Sequence, residues 1–190
     1  MNKDNIFLKK YFNEFKNLIE LSNYENNLIK LKNYLRDLKI KKTKALIFGN
    51  GGSAAIASHF SVDLTKNAKV RCVNFNEADL LTCFSNDYGY EKWVEKSIEY
   101  YADRGDLIIL ISSSGKSKNM INAAKFLKKN KIGKLITFTG NKKNNNLSKY
   151  SDLNFWVNSK SYNYIENIHQ FLLLTVVDLI IGKKNYSSNR

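Results

Sequence analysis

The chain reads as an α/β fold: a parallel five-stranded sheet with helices on both faces, three layers deep, preceded by a pair of N-terminal helices. Three observations predict it. Five short apolar runs (45–48, 70–73, 107–111, 135–139 and 153–157) alternate with helical patterns from residue 45 onward. The runs at 45–48 and 107–111 are continuously apolar, as in strands covered on both faces. Those same two runs empty into clusters of Gly and Ser, Gly49-Asn50-Gly51-Gly52-Ser53 and Ser112-Ser113-Ser114-Gly115-Lys116-Ser117.

Residues 6–39 carry two helical stripes, Phe7, Tyr11, Phe15, Leu18 and Ile19 and then Tyr24, Leu28, Leu31, Leu35 and Leu38. The second is regular enough for helix–helix packing, on the chain's own sheet or on another subunit. A helix is expected from the first glycine loop to about Asn67, then a short strand at 70–73 and a helix over 77–84. A polar turn is read at 85–89, a helix over 90–102, and a helix from the serine loop to about Asn130. Residues 141–148 read as a polar surface loop and 162–181 as the closing helix. The expected division is a helical extension over 1–44, one domain over 45–182 and a frayed polar tail over 183–190.

At 190 residues the chain is long enough for one substantial core. No apolar run approaches the ~18–20 residues of a membrane span, and the polar N-terminus carries no signal-peptide pattern. A cytoplasmic protein is expected, with Cys72 and Cys83 as reduced thiols in apolar surroundings. The net charge of +14 raises nucleic acid as a partner. The lysines, however, are dispersed among asparagines, and no nucleic-acid module signature accompanies them. With no proline in the chain, turns fall to Gly, Asn, Asp and Ser.

In open parallel sheets ligands bind beyond the carboxyl ends of the strands, where the connections switch direction. Both Gly/Ser loops belong there. Gly51 and Gly52 let the backbone approach a ligand, and Ser53, Ser112, Ser113, Ser114 and Ser117 offer hydroxyls beside helix-opening N–H groups. A phosphate site is the reading. Neither the Gly-x4-Gly-Lys loop nor Gly-x-Gly-x-x-Gly occurs there, so no dinucleotide cofactor is expected. The helix after Ser53 buries Ile56, Phe60 and Leu64 and presents His59 and Asp63 on an adjacent face. The only other histidine, His169, follows Glu166 by three residues on the closing helix. Such pairs serve proton transfer or a divalent metal, here His59, Asp63 and Glu166.

Gly49-Asn50-Gly51-Gly52-Ser53, His59-Phe60, Asn86-Asp87-Tyr88-Gly89-Tyr90 and Ile111-Ser112-Ser113-Ser114-Gly115-x-Ser117 resemble, in order and spacing, the phosphoheptose isomerases of the SIS (sugar isomerase) superfamily. The resemblance runs from about residue 45 to about 181 and implies an SIS-type domain. It implies isomerisation of sedoheptulose 7-phosphate to D-glycero-D-manno-heptose 7-phosphate for surface polysaccharide. It also implies homotetramers with shared active sites and, in some members, zinc. Ser53, Ser112, Ser114 and Ser117 would bind phosphate or hydroxyls, Asn50 and Asp87 the sugar chain, and His59 falls on a metal-ligand position.

Departures cluster where protons move. The family's glutamate base stands here as Asp63, a closing-helix glutamine as Glu166, and an arginine as Asn67, with Lys66 the nearest cation. The family's catalytic histidine aligns with Leu174. Asp63 remains as base, with Glu166 or His169 as the second group. Two readings stay open: an aldose–ketose isomerase acting on this or a close phosphosugar, and a non-catalytic module binding a phosphosugar or a protein.

Overall fold

In a computed structural model describing residues 2–185, five parallel strands run in the order β2-β1-β3-β4-β5. They are β1 (Ala45–Phe48), β2 (Cys72–Asn74), β3 (Leu107–Ser112), β4 (Lys134–Thr139) and β5 (Leu153–Trp156). The helices are α1 (Lys3–Leu18), α2 (Glu25–Lys41), α3 (Gly52–Lys66), α4 (Ala78–Tyr88), α5 (Trp93–Tyr101), α6 (Lys118–Asn130) and α7 (Tyr162–Ile181). The expected tail over 183–190 extends beyond the described residues.

Alternation along the strands splits the core into two layers. Ala45, Ile47, Ile109 and Ile111 face a layer with α2, α3 and α7, onto which α1 packs with partly buried Tyr11, Phe15 and Leu18. Leu46, Phe48, Ile108 and Leu110 face the other layer with α5 and α6, where Leu80, Leu81 and Phe84 of α4 also pack. The α2 stripe Tyr24, Leu28, Leu31, Leu35 and Leu38 is buried within its own chain, which decides between the two packings read for it.

Several local readings change. The polar turn expected at 85–89 is the last turn of α4: the apolar face carrying Leu81 and Phe84 continues to Tyr88, and Gly89, at φ 84°, stops the helix. The segment 141–148 is not all surface, because Leu147 is fully buried and its N–H reaches Gly115 O at 3.1 Å. Cys72 is buried, but Cys83 is exposed on α4 with its thiol 3.6 Å from the Asp87 carboxylate. And α7, at 20 residues, is long and apolar enough to cross a membrane, contrary to the sequence reading. It packs against α2 and α3 instead, with Ile165, Ile168, Leu172, Leu173 and Val176 in the core.

Candidate functional site

The chain runs from β1 outward to β2, then returns past β1 to β3 and continues to β4 and β5. The direction switches between β1 and β3, and the two Gly/Ser loops leave the carboxyl ends of those adjacent strands. In the first loop Gly51 takes φ 54°, and Ser53 N donates to Asn50 O at 3.0 Å to open α3. A Cβ on Gly49 would overlap the Ser53 carbonyl, so the close turn requires glycine there.

In the second loop Ser112 Oγ and Ser117 Oγ lie 3.0 Å apart, and Lys116 N donates to Ser114 Oγ at 3.2 Å. Ser113 Oγ is buried with no hydrogen-bond partner among the described residues. Asn145 supports this loop from below: its Oδ1 accepts from Leu147 N and Ser148 N, and its side chain fills the place a Cβ on Gly115 would take. Neither Gly51 nor Ser117, the residues preceding α3 and α6, caps its helix through a side chain. In α3 the Ser53, Ala54 and Ala55 N–H groups already donate to loop carbonyls, and in α6 the Met120 N–H donates to Asn119 Oδ1 at 3.0 Å.

Asn50 is held between the loops. It exchanges amide hydrogen bonds with Asn119, 2.9 and 3.1 Å, and its Oδ1 also accepts from Tyr90 OH at 3.1 Å. The sequence alone gives Asn119 no role and gives Tyr90 none beyond its place in a motif. Tyr90 closes the quoted Asn-Asp-Tyr-Gly-Tyr segment, and Asn119 stands two residues after the last loop serine. Asp87 is exposed, and its polar contacts shown are to Cys83 and Asn86 beside it on α4.

A second cluster forms where α3 meets α7. His59 Nε2 lies 3.5 Å from Asp63 Oδ2, and Asn67 Nδ2 donates to Asp63 Oδ1 at 3.3 Å. Gln170 Nε2 lies 3.1 Å from His59 Nδ1. An amide donating to Nδ1 leaves the imidazole proton on Nε2, facing Asp63. Gln170 lies one turn from Glu166 and Leu174 one turn further, a spacing that the sequence displays but that was not read. The Glu166 carboxylate lies against Gly52, where it would meet a Cβ on that glycine.

His169 needs a correction. Its ring is fully buried, with Nε2 3.2 Å from Thr139 O and an edge contact to Phe138. Desolvation lowers its pKa to about 4, and Nδ1 has no partner among the described residues. It is a neutral core histidine with no accessible surface to offer a substrate. Within the one described chain His59 and Asp63 meet, no three His, Cys, Asp or Glu side chains come together, and the Glu166 carboxylate lies beside Gly52.

Fold and loops together define an α/β domain whose two Gly/Ser loops open helices side by side at the switch point of a parallel sheet. The SIS domain model matches residues 10–140. A phosphoheptose isomerase of Aliarcobacter butzleri is 35% identical over 144 residues, covering 72% of this chain and 75% of the relative. One from Fusobacterium nucleatum is 29% identical over 186 residues, covering 94% and 95%. The structure of a phosphoheptose isomerase from Francisella tularensis superposes with a TM-score of 0.85, covering 96% of this chain and 100% of that one at 21% identity, a likeness of fold. The chain belongs to the SIS domain family, among the phosphoheptose isomerases.

Proposed function

We propose that this chain is an aldose–ketose isomerase converting sedoheptulose 7-phosphate to D-glycero-D-manno-heptose 7-phosphate, for surface-polysaccharide heptose synthesis in the cytoplasm. The observation that carries this reading is the pair of glycine and serine loops side by side at the switch point, where Ser113 Oγ is buried without a partner among the described residues. The phosphate takes the serine hydroxyls and the α6 N–H groups, and Asn50 takes a sugar hydroxyl.

Isomerisation moves a proton from C1 to C2 through an enediol. Asp63 accepts the C1 proton while the His59 Nε2–H donates to O2. Asp63 then returns its proton to C2 and the O1 proton passes to His59 Nε2, which gives the aldose and restores both side chains. Glu166, against the glycine loop, is the second carboxylate available to sugar hydroxyls. From Ser53 to Asp63 is ten residues of α3, ~15 Å of rise, more than one extended sugar chain spans. We therefore place the phosphate loop and the His59–Asp63 pair of one site on different protomers of a homo-oligomer. Exposed Ile6, Phe7, Leu8 and Phe12 on α1, and Phe171 on α7, supply apolar surface for such an assembly.

Leu174 at the family's histidine position favours a second reading, binding without turnover. Chromatographic detection of aldose phosphate from sedoheptulose 7-phosphate separates the two. Product that is lost with Asp63→Asn supports the isomerase, and tight binding without product supports the binding module.

A further inference from the structure

Lysines dispersed in the sequence come together in the fold, at the end of the sheet opposite the two loops. Crossover helices return the chain to the amino ends of parallel strands, so the turns that enter the strands share one pole. Across the sheet, the turns entering β2, β1, β3 and β4 carry Lys69, Lys42, Arg104 and Lys131, each three residues before its strand. The first residues of these strands are register partners, Cys72 with Ala45, Ala45 with Leu107 and Leu107 with Lys134. The four cations therefore stand at matching positions on neighbouring strands, in a row of roughly 15 Å at ~4.8 Å per strand. All four are exposed. The nearby carboxylates are taken by other lysines, Asp103 and Asp106 by Lys44 and Asp152 by Lys128.

Three of these positions resist a lysine. Lys42, Lys69 and Lys131 take φ of 59°, 59° and 50°, the left-handed region that glycine and asparagine enter most readily. The chain is rich in asparagine and uses one at Asn141, φ 56°, yet a lysine stands in each of the three turns. Backbone preference and composition both favour another residue, so the positive charge itself is the feature to explain. Ile40 projects beside the row. It lies on the last turn of α2, before Lys41 and Lys42, and is 77% exposed. Lysines are point charges without arginine's planar fork, and an apolar side chain among them gains nothing from nucleic acid. An anionic bilayer surface takes both: its phosphates attract the lysines and its interface buries the isoleucine.

We propose that this pole docks on anionic phospholipid, leaving the Gly/Ser loops at the far end open to solution. Docking needs no sugar in the loops and is tested without one.

Sedimentation of the intact protein with lipid vesicles reads the docking. Vesicles of phosphatidylglycerol and phosphatidylcholine should carry the protein down at low salt, and vesicles of phosphatidylcholine alone should not. Lys42→Asn and Lys131→Asn supply a residue that tolerates the left-handed turn, so the melting temperature should hold while each weakens vesicle binding about fivefold. Lys142→Asn, on the loop after β4 at the other pole, should change nothing. Ile40→Ser should weaken vesicle binding and leave the affinity for duplex DNA unchanged. No binding to the mixed vesicles, no loss with either turn variant, or an equal loss with Lys142→Asn overturns the proposal. Vesicle binding indifferent to Ile40→Ser also overturns it, and duplex DNA bound tightly at the same salt then assigns the pole to nucleic acid.

Discussion

Replacing His169 with Gln tests whether this histidine belongs to the core or to the chemistry. A glutamine reaches the Thr139 carbonyl through its own amide but loses the edge contact to Phe138, worth about 0.5–1.5 kcal/mol. Near neutral pH the variant is therefore less stable by about 1 kcal/mol. Acid reverses the order. The folded-state pKa falls from 6.5 to about 4, so below pH 6.5 the unfolded chain binds a proton that the folded chain refuses. The stability of the unaltered protein is intact above pH 6.5 and declines as pH falls toward 4. This group contributes a loss of about 2 kcal/mol at pH 5 and approaches about 3 kcal/mol once both states are protonated. Urea unfolding at pH 7.5, 6 and 5 should show the Gln variant gaining on the unaltered protein at each step. Any isomerase activity at pH 7.5 should survive the substitution. Parallel pH profiles for the two proteins, or loss of turnover in a folded variant, would refute the assignment.

Other outcomes follow from the same contacts. Ser113→Ala removes a buried hydroxyl that has no partner among the described residues, so its melting temperature should hold while phosphate affinity drops about tenfold by calorimetry. Gly49→Ala places a Cβ on the Ser53 carbonyl and should cost about 1–3 kcal/mol in urea unfolding, with weakened phosphate binding as the loop shifts. Asp106→Ala removes the carboxylate that accepts from Lys44 N, Lys44 Nζ and Asp103 N behind the sheet. Chemical denaturation should show about 3–5 kcal/mol lost and phosphate affinity unchanged in whatever remains folded.

The sheet was legible because strands covered on both faces must be apolar throughout, and β1 and β3 are. The two loops were legible because Gly and Ser in such density have few other uses at strand ends. Asn119 and Gln170 were not, since an amide acquires meaning only from the atom opposite it, Asn50 in one case and His59 in the other. His169 misled for a related reason. Its spacing from Glu166 puts both near one helix face, but one turn of α7 spans the edge between the open cleft and the core. Helical periodicity places residues around an axis without saying how deep the neighbouring elements bury them. Cys83 and the end of α4 went astray because the last turn of an amphipathic helix can be as polar as a loop.

On the proposed function, these loops and carboxylates move a proton between adjacent carbons of a bound sugar phosphate. Incubation with sedoheptulose 7-phosphate in deuterated water, followed by NMR, reads that step directly, even where little product accumulates. Deuterium entering C1 with the unaltered protein, and absent with Asp63→Asn that still binds the ligand, is the predicted result. A protein that binds the ligand but leaves C1 free of deuterium would contradict the account and leave a phosphosugar-binding module in its place.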